Sequence, residues 1–103
     1  MKTLEDCFGR KVRLTDERLA HILEHPEMRG LAAELERVLR QPQFVRRSRS
    51  DDSVHLFYEF YAATIVGGKW LCLVVKYAAT DAFVVTAYLT NKPKAGETLW
   101  PIK

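Results

Sequence analysis

Two stretches of strand-forming residues, 70–77 (WLCLVVKY) and 83–90 (FVVTAYLT), are separated only by the loop Ala78-Ala79-Thr80-Asp81-Ala82. This pairing constrains the chain more than any other feature. β-Branched and aromatic side chains dominate both arms, and the short polar-containing loop between them predicts an antiparallel hairpin. Neither arm is purely apolar. Lys76 sits inside the first, and Thr86, Tyr88 and Thr90 alternate along the second. Successive strand residues point to opposite faces. If the hairpin closes around Thr80, Val74 faces Thr86, Lys76 faces Val84, and Lys76, Thr86, Tyr88 and Thr90 share one face. An ammonium on such a wall is costly to bury unless it is paired or put to use.

The chain's 103 residues predict one domain, and its 48% apolar content suffices for a single core. No apolar run is long enough to predict a membrane-spanning helix. The N-terminal stretch meets Glu5 and Asp6 before any apolar segment, so no signal peptide is expected. Cys7 and Cys72 stand alone, without metal-site spacing, and predict free thiols in a reducing, cytoplasmic setting. The formal charge is +3, unevenly spread. Residues 1–36 carry six Lys/Arg against eight acids, whereas residues 37–103 carry ten against five. The excess positive charge therefore lies in the strand-rich half, which favours an anionic partner such as RNA over a merely solvated surface.

Residues 12–14 predict a short strand. Thr15 or Asp16 can cap a following helix that carries Asp16 and Glu17 in its first turn and Leu19, Ile22 and Leu23 on one stripe. Pro26 ends or kinks that helix. Leu31, Leu35, Val38 and Leu39 predict a second amphipathic helix, closed by Pro42. Four extended segments follow at 44–49, 54–62, 70–77 and 83–90. The tail, with Pro93, Gly96 and Pro101, reads as loop with Trp100 docked back. The expected architecture is α+β: two N-terminal helices on one face of a four-stranded antiparallel sheet, in a single domain with a core at about 11–100.

The candidate chemistry is sparse in type. His21 lies on the first helix and His25 at its end, while His55 sits in a strand with no partner visible in sequence. The cluster Arg46-Arg47-Ser48-Arg49 suits phosphate, which guanidinium groups grip bidentately. It equally suits an edge strand protected by charge, with Asp51 and Asp52 as ion-pair partners. Read as a strand, it sends Arg47 and Arg49 to one face and Arg46 and Ser48 to the other. Tyr58, Tyr61, Trp70, Tyr77 and Tyr88 interleave with these cations, as core residues or as surfaces for stacking bases. No metal constellation, Gly-rich phosphate loop or Ser-His-Asp arrangement stands out, so no metal or cofactor is expected. A set of His, Arg, Lys, Tyr and Thr suits metal-free RNA cleavage, in which a base takes the 2′-hydroxyl proton and cations stabilise the phosphorane.

The order VRLTDERLAHILEHPEM, an amphipathic helix before VRRSRSD, then LFYEF, LVVKY and FVVTAYLTNKPKAGETLW resembles the nuclease-like domains grouped with barnase, EndoU, colicin-type tRNases and RelE toxins (the BECR fold), and most of all their small phage-associated branch (PBECR). The resemblance covers about residues 11–100. It implies a metal-independent endoribonuclease, toxin-like or phage-derived, with an acidic antitoxin or immunity protein as a partner. The alternative is a non-catalytic RNA-binding or protein-interaction domain on the same fold. The implied catalytic set is His21 as base or acid, Arg47 and Lys76 as phosphate and transition-state cations, and Thr86 and Tyr88 to orient the phosphate or donate a proton. Arg46, Ser48, Arg49 and Lys92 are implied RNA contacts.

Overall fold

The computed structural model describes residues 1–102. The chain forms β1 (Lys2–Glu5), β2 (Lys11–Leu14), α1 (Asp16–Leu23), a 3-10 turn (Pro26–Leu31), α2 (Glu34–Arg40), β3 (Phe44–Arg47), β4 (Val54–Thr64), β5 (Gly67–Tyr77), β6 (Ala82–Thr90) and β7 (Thr98–Trp100). The strands make one seven-stranded sheet in the order β1-β2-β6-β5-β4-β3-β7. All neighbours are antiparallel except β2 and β6, which run parallel. The architecture expected from sequence, two helices on a four-stranded antiparallel sheet, is therefore corrected to a mixed seven-stranded sheet with three short helical segments. No helix among the described residues is long and apolar enough to cross a membrane.

Local chemistry accounts for the helical segments. Thr15 caps α1, its hydroxyl accepting the Arg18 amide at 3.1 Å, and Asp16 and Glu17 meet the positive end of the helix dipole. His25 is extended, as a residue before proline must be, and Pro26 opens the 3-10 turn in place of continuing the helix. Ile22 from α1, Met28 from the turn, and Leu35, Val38 and Leu39 from α2 all pack into one cluster with Phe57, Leu71, Leu73, Val75 and Val84. Each such fully buried aliphatic side chain contributes about 1.5–3 kcal/mol of transfer free energy, an upper-end figure because the unfolded chain already hides some area. All three helical segments thus lie on one face of the sheet.

Three features of the sheet were not foreseen. The charged tetrapeptide Lys2–Glu5 is an edge strand on β2. The tail is not a loop throughout: Thr98–Trp100 pairs with β3, and this makes β3 an interior strand. Charge-protected edge pairing is therefore not the role of its arginines. Finally, β6 carries a bulge, because Val74 pairs with Thr86 but Val75 pairs with Val84, leaving Val85 as the extra residue. Lys76 consequently faces Phe83, not Val84. The bulge leaves Lys76 on its original face, since that is set by alternation along β5.

Candidate nucleic-acid interface

Strand alternation divides the sheet chemically. On β4 and β5, Phe57, Leu71, Leu73 and Val75 point to the helices. Leu56, Tyr58 and Cys72 point the other way and form a second, smaller buried cluster flanked by Phe44, Val54, Trp70, Val74 and Tyr88. None of the helical segments covers this open face.

One end of the open face is aromatic. The Phe44 ring lies 5.2 Å from Tyr58 and 5.3 Å from Trp70, and Phe60 lies edge-on to Trp70 at 5.3 Å. Phe60 remains 44% exposed, too much for a core residue, and Phe44 and Trp70 are half-buried. Arg46 stacks over Phe44 at 4.7 Å and donates to the Lys94 carbonyl at 2.8 Å. The Lys94 amide in turn donates to the Tyr58 hydroxyl at 3.0 Å. These bonds lay residues 91–97 across the sheet. Burial pushes the Tyr58 phenol up to about 12.

The other end is a groove of about 590 Å³. Val54, Leu56, Val74, Thr86 and Tyr88 make its floor. Residues 48–51 form one wall, and Lys94 and Ala95 stand on the other. The loop wall is shaped by Asp51, whose carboxylate accepts from the Ser53 amide at 3.0 Å, the Ser53 hydroxyl at 2.6 Å and Lys76 Nζ at 2.7 Å. These donors, Lys76 first, hold the Asp51 carboxyl well below the usual carboxylate range. Burial, with the Cys72 thiol beside it, pushes the Tyr88 phenol up, and burial likewise raises the Cys72 thiol.

The sequence-derived site divides between the two faces. Lys76, Thr86 and Tyr88 share the open face, and Ser48 and Arg49 line the groove they border. Arg46 lies on the same face, stacked on Phe44. Arg49 joins this side, not Arg47's, because β3 stops at Arg47 and the chain turns; the strand alternation expected through residue 49 does not continue. Lys92 is in the loop after β6, its amide held by the Thr90 hydroxyl at 3.3 Å.

His21 and Arg47 are elsewhere. His21 is on the solvent side of α1, 54% exposed, with Nδ1 3.3 Å from a Glu24 carboxylate oxygen. Arg47 points to the helix-side face and pairs through Nε with Glu97 at 3.1 Å. Asp51 serves Lys76, not the arginine cluster. The five residues of the implied catalytic set therefore do not meet in one cleft. Among the interleaved aromatics, Tyr58, Trp70 and Tyr88 reach the open face. Tyr61 and Tyr77 bond instead to Glu34 and Asp6, at 2.8 and 2.6 Å. Phe44, Phe60 and Lys94 were missed, although Phe60 was legible from its alternation with Tyr58.

Comparison with family models, with curated proteins and with solved structures finds no match to this chain.

Proposed function

We propose that this chain is a single-stranded RNA-binding domain that lays the strand along the open face of its sheet. The observation that carries the reading is the union, on the face that no helical segment covers, of a part-exposed aromatic cluster (Phe44, Phe60, Trp70) with Arg46 stacked on it and a groove lined by the cations Arg49 and Lys94. Bases stack on aromatic rings regardless of sequence, and cations track the backbone. The hydroxyls of Ser48 and Thr86 stand beside the apolar floor, where a ribose 2′-hydroxyl finds partners. The excess positive charge of residues 37–103, ten Lys/Arg against five acids, supports the same partner.

Binding fits this face better than cleavage. General acid–base catalysis of 2′-hydroxyl attack needs groups that exchange protons near neutrality. On this face, Asp51 is held ionised against Lys76, and the Tyr58 and Tyr88 phenols are held protonated. His21, the base implied by the resemblance, stands on the other side of the sheet.

Fluorescence anisotropy of a labelled oligoribonucleotide tests the reading. With Arg46, Arg49 and Lys94 each neutralising a phosphate, the slope of log affinity against log salt is about −2 (~0.7 per cation). Phe60→Ala weakens binding by about 1–3 kcal/mol, the usual value of one stacked base. Absence of binding at low salt overturns the proposal.

A further inference from the structure

A second cleft, of about 420 Å³, opens on the helix-side face at the end of the sheet. Its size is within the range of small-ligand pockets, about 300–1,000 Å³. Three strands meet there: β3 brings Arg47, β4 brings its direct cross-strand partner His55, and β5 brings Tyr77, whose ring lies 4.4 Å from the His55 imidazole. The β1–β2 connection closes one side. Asp6, only 2% exposed, accepts from the Phe8 amide at 2.9 Å, the Arg10 amide at 2.8 Å and the Tyr77 hydroxyl at 2.6 Å. Gly9, at a φ of 85°, makes the turn that this wrapping requires. The carboxylate is thereby committed to shaping the loop. It sets Phe8 edge-on to His55 at 6.2 Å and Arg10 over the Tyr77 ring at 5.1 Å.

The cleft has an unfilled chemical specification. Among the described residues the Arg10 guanidinium meets only the Tyr77 ring, and Arg47 uses Nε for Glu97, leaving its terminal nitrogens. His55 Nδ1 is buried with no hydrogen-bond partner. Phe8, Tyr77 and Leu99 supply apolar walls around these groups. Guanidinium pairs are the side chains best matched to a tetrahedral oxyanion.

We propose that this cleft binds a phosphate monoester group, held by Arg10 and Arg47 with His55 as a proton-bearing third contact. The site is separate from the RNA groove and does not depend on it; the loop of residues 48–53 divides the two, with Ser48 to Asp51 lining the groove and Asp52 and Ser53 lining the cleft. In the free protein, burial first and then the charges of Arg47 and Arg10 hold the His55 imidazole below its usual value, while Asp6 opposes them. Tyr77, Asp52 and, through Arg47, Glu97 complete the polar surroundings. A dianion between the arginines offsets their charge and favours imidazolium, so binding takes up a proton.

Imidazole NMR resonances read this directly, with His55 assigned by its loss in His55→Asn. Inorganic phosphate is added at constant ionic strength against chloride. Separately, a 5′-phosphorylated oligoribonucleotide is compared with its 5′-hydroxyl twin. The expected result is a saturable shift of His55 and an upward move of its titration midpoint, with His21 and His25 unmoved. Arg10→Gln and Arg47→Gln each weaken the effect at least tenfold while keeping the folded amide spectrum, and Arg49→Ala in the groove leaves the response to inorganic phosphate intact. A response to inorganic phosphate assigns the site to small phosphates. A response only to the phosphorylated oligonucleotide assigns it to a strand terminus. No His55 response to any of the probes, or an equal response in the arginine variants, overturns the proposal.

Discussion

Lys76 Nζ stands 2.7 Å from an Asp51 carboxylate oxygen, tying the middle of the sheet's open face to the loop that walls its groove. The lysine that looked like a buried oddity in sequence is 36% exposed and already neutralised. Its charge therefore positions the loop more than it serves a ligand. Asp51→Asn removes the counter-charge and strengthens RNA binding, whereas Lys76→Ala weakens it less than Arg49→Ala does. Anisotropy titrations of the three variants at one salt concentration give the ranking.

The same pair sets a pH dependence. The Asp51 carboxyl is lowered in the folded protein, chiefly by Lys76 and then by Ser53. A lowered carboxyl contributes stability that is present above its unfolded value, about 3.9, and is lost as pH falls through the folded one. The stability difference between wild type and Asp51→Asn is therefore constant from neutral pH down to about pH 5 and shrinks below about pH 4. Urea denaturation across that range measures it.

Tyr77→Phe removes the hydroxyl that donates to buried Asp6 at 2.6 Å. The carboxylate keeps its two backbone donors but loses a partner that water does not readily replace. The expected cost is about 1–3 kcal/mol, read as a lower urea midpoint at unchanged slope. The loop that carries Arg10 loosens with it, and amide exchange over residues 6–10 accelerates.

A side chain at position 96 has nowhere to go, because a Cβ on Gly96 would collide with the Arg47 carbonyl oxygen. Gly96→Ala must push the 91–97 segment away from β3. Destabilisation of about 1–3 kcal/mol is expected, as for other overpacked sites. Weaker RNA binding accompanies it, because Lys94 and Ala95 wall the groove.

The four long or arginine-rich strands were legible because β-branched and aromatic residues concentrate in them. Alternation also sufficed to put Lys76, Thr86 and Tyr88 on one face. β1 was hidden because Lys-Thr-Leu-Glu is charged and short, and forms only by pairing with β2. β7 was hidden behind Pro93 and Gly96, whose local preference for loop is overridden from Thr98 on, two residues after Gly96, by pairing with β3. The bulge at Val85 left no local signature. Where His21 and Arg47 end up was not local information either. The first depends on which side of the sheet α1 covers, and the second on where β3 stops. The neighbours of the His55 ring could not be seen in sequence because Phe8 comes from the β1–β2 connection and Tyr77 from the end of β5.

The most direct measurement is an anisotropy titration of a labelled single-stranded oligoribonucleotide at low and moderate salt, with wild type and with Arg49→Ala/Lys94→Ala. Both substituted side chains are exposed, so the fold is retained. Wild type binds with a log–log salt slope of about −2, and the double variant binds more weakly with a slope nearer −0.7. Equal affinity and equal slope for the two proteins would contradict RNA binding on the open face.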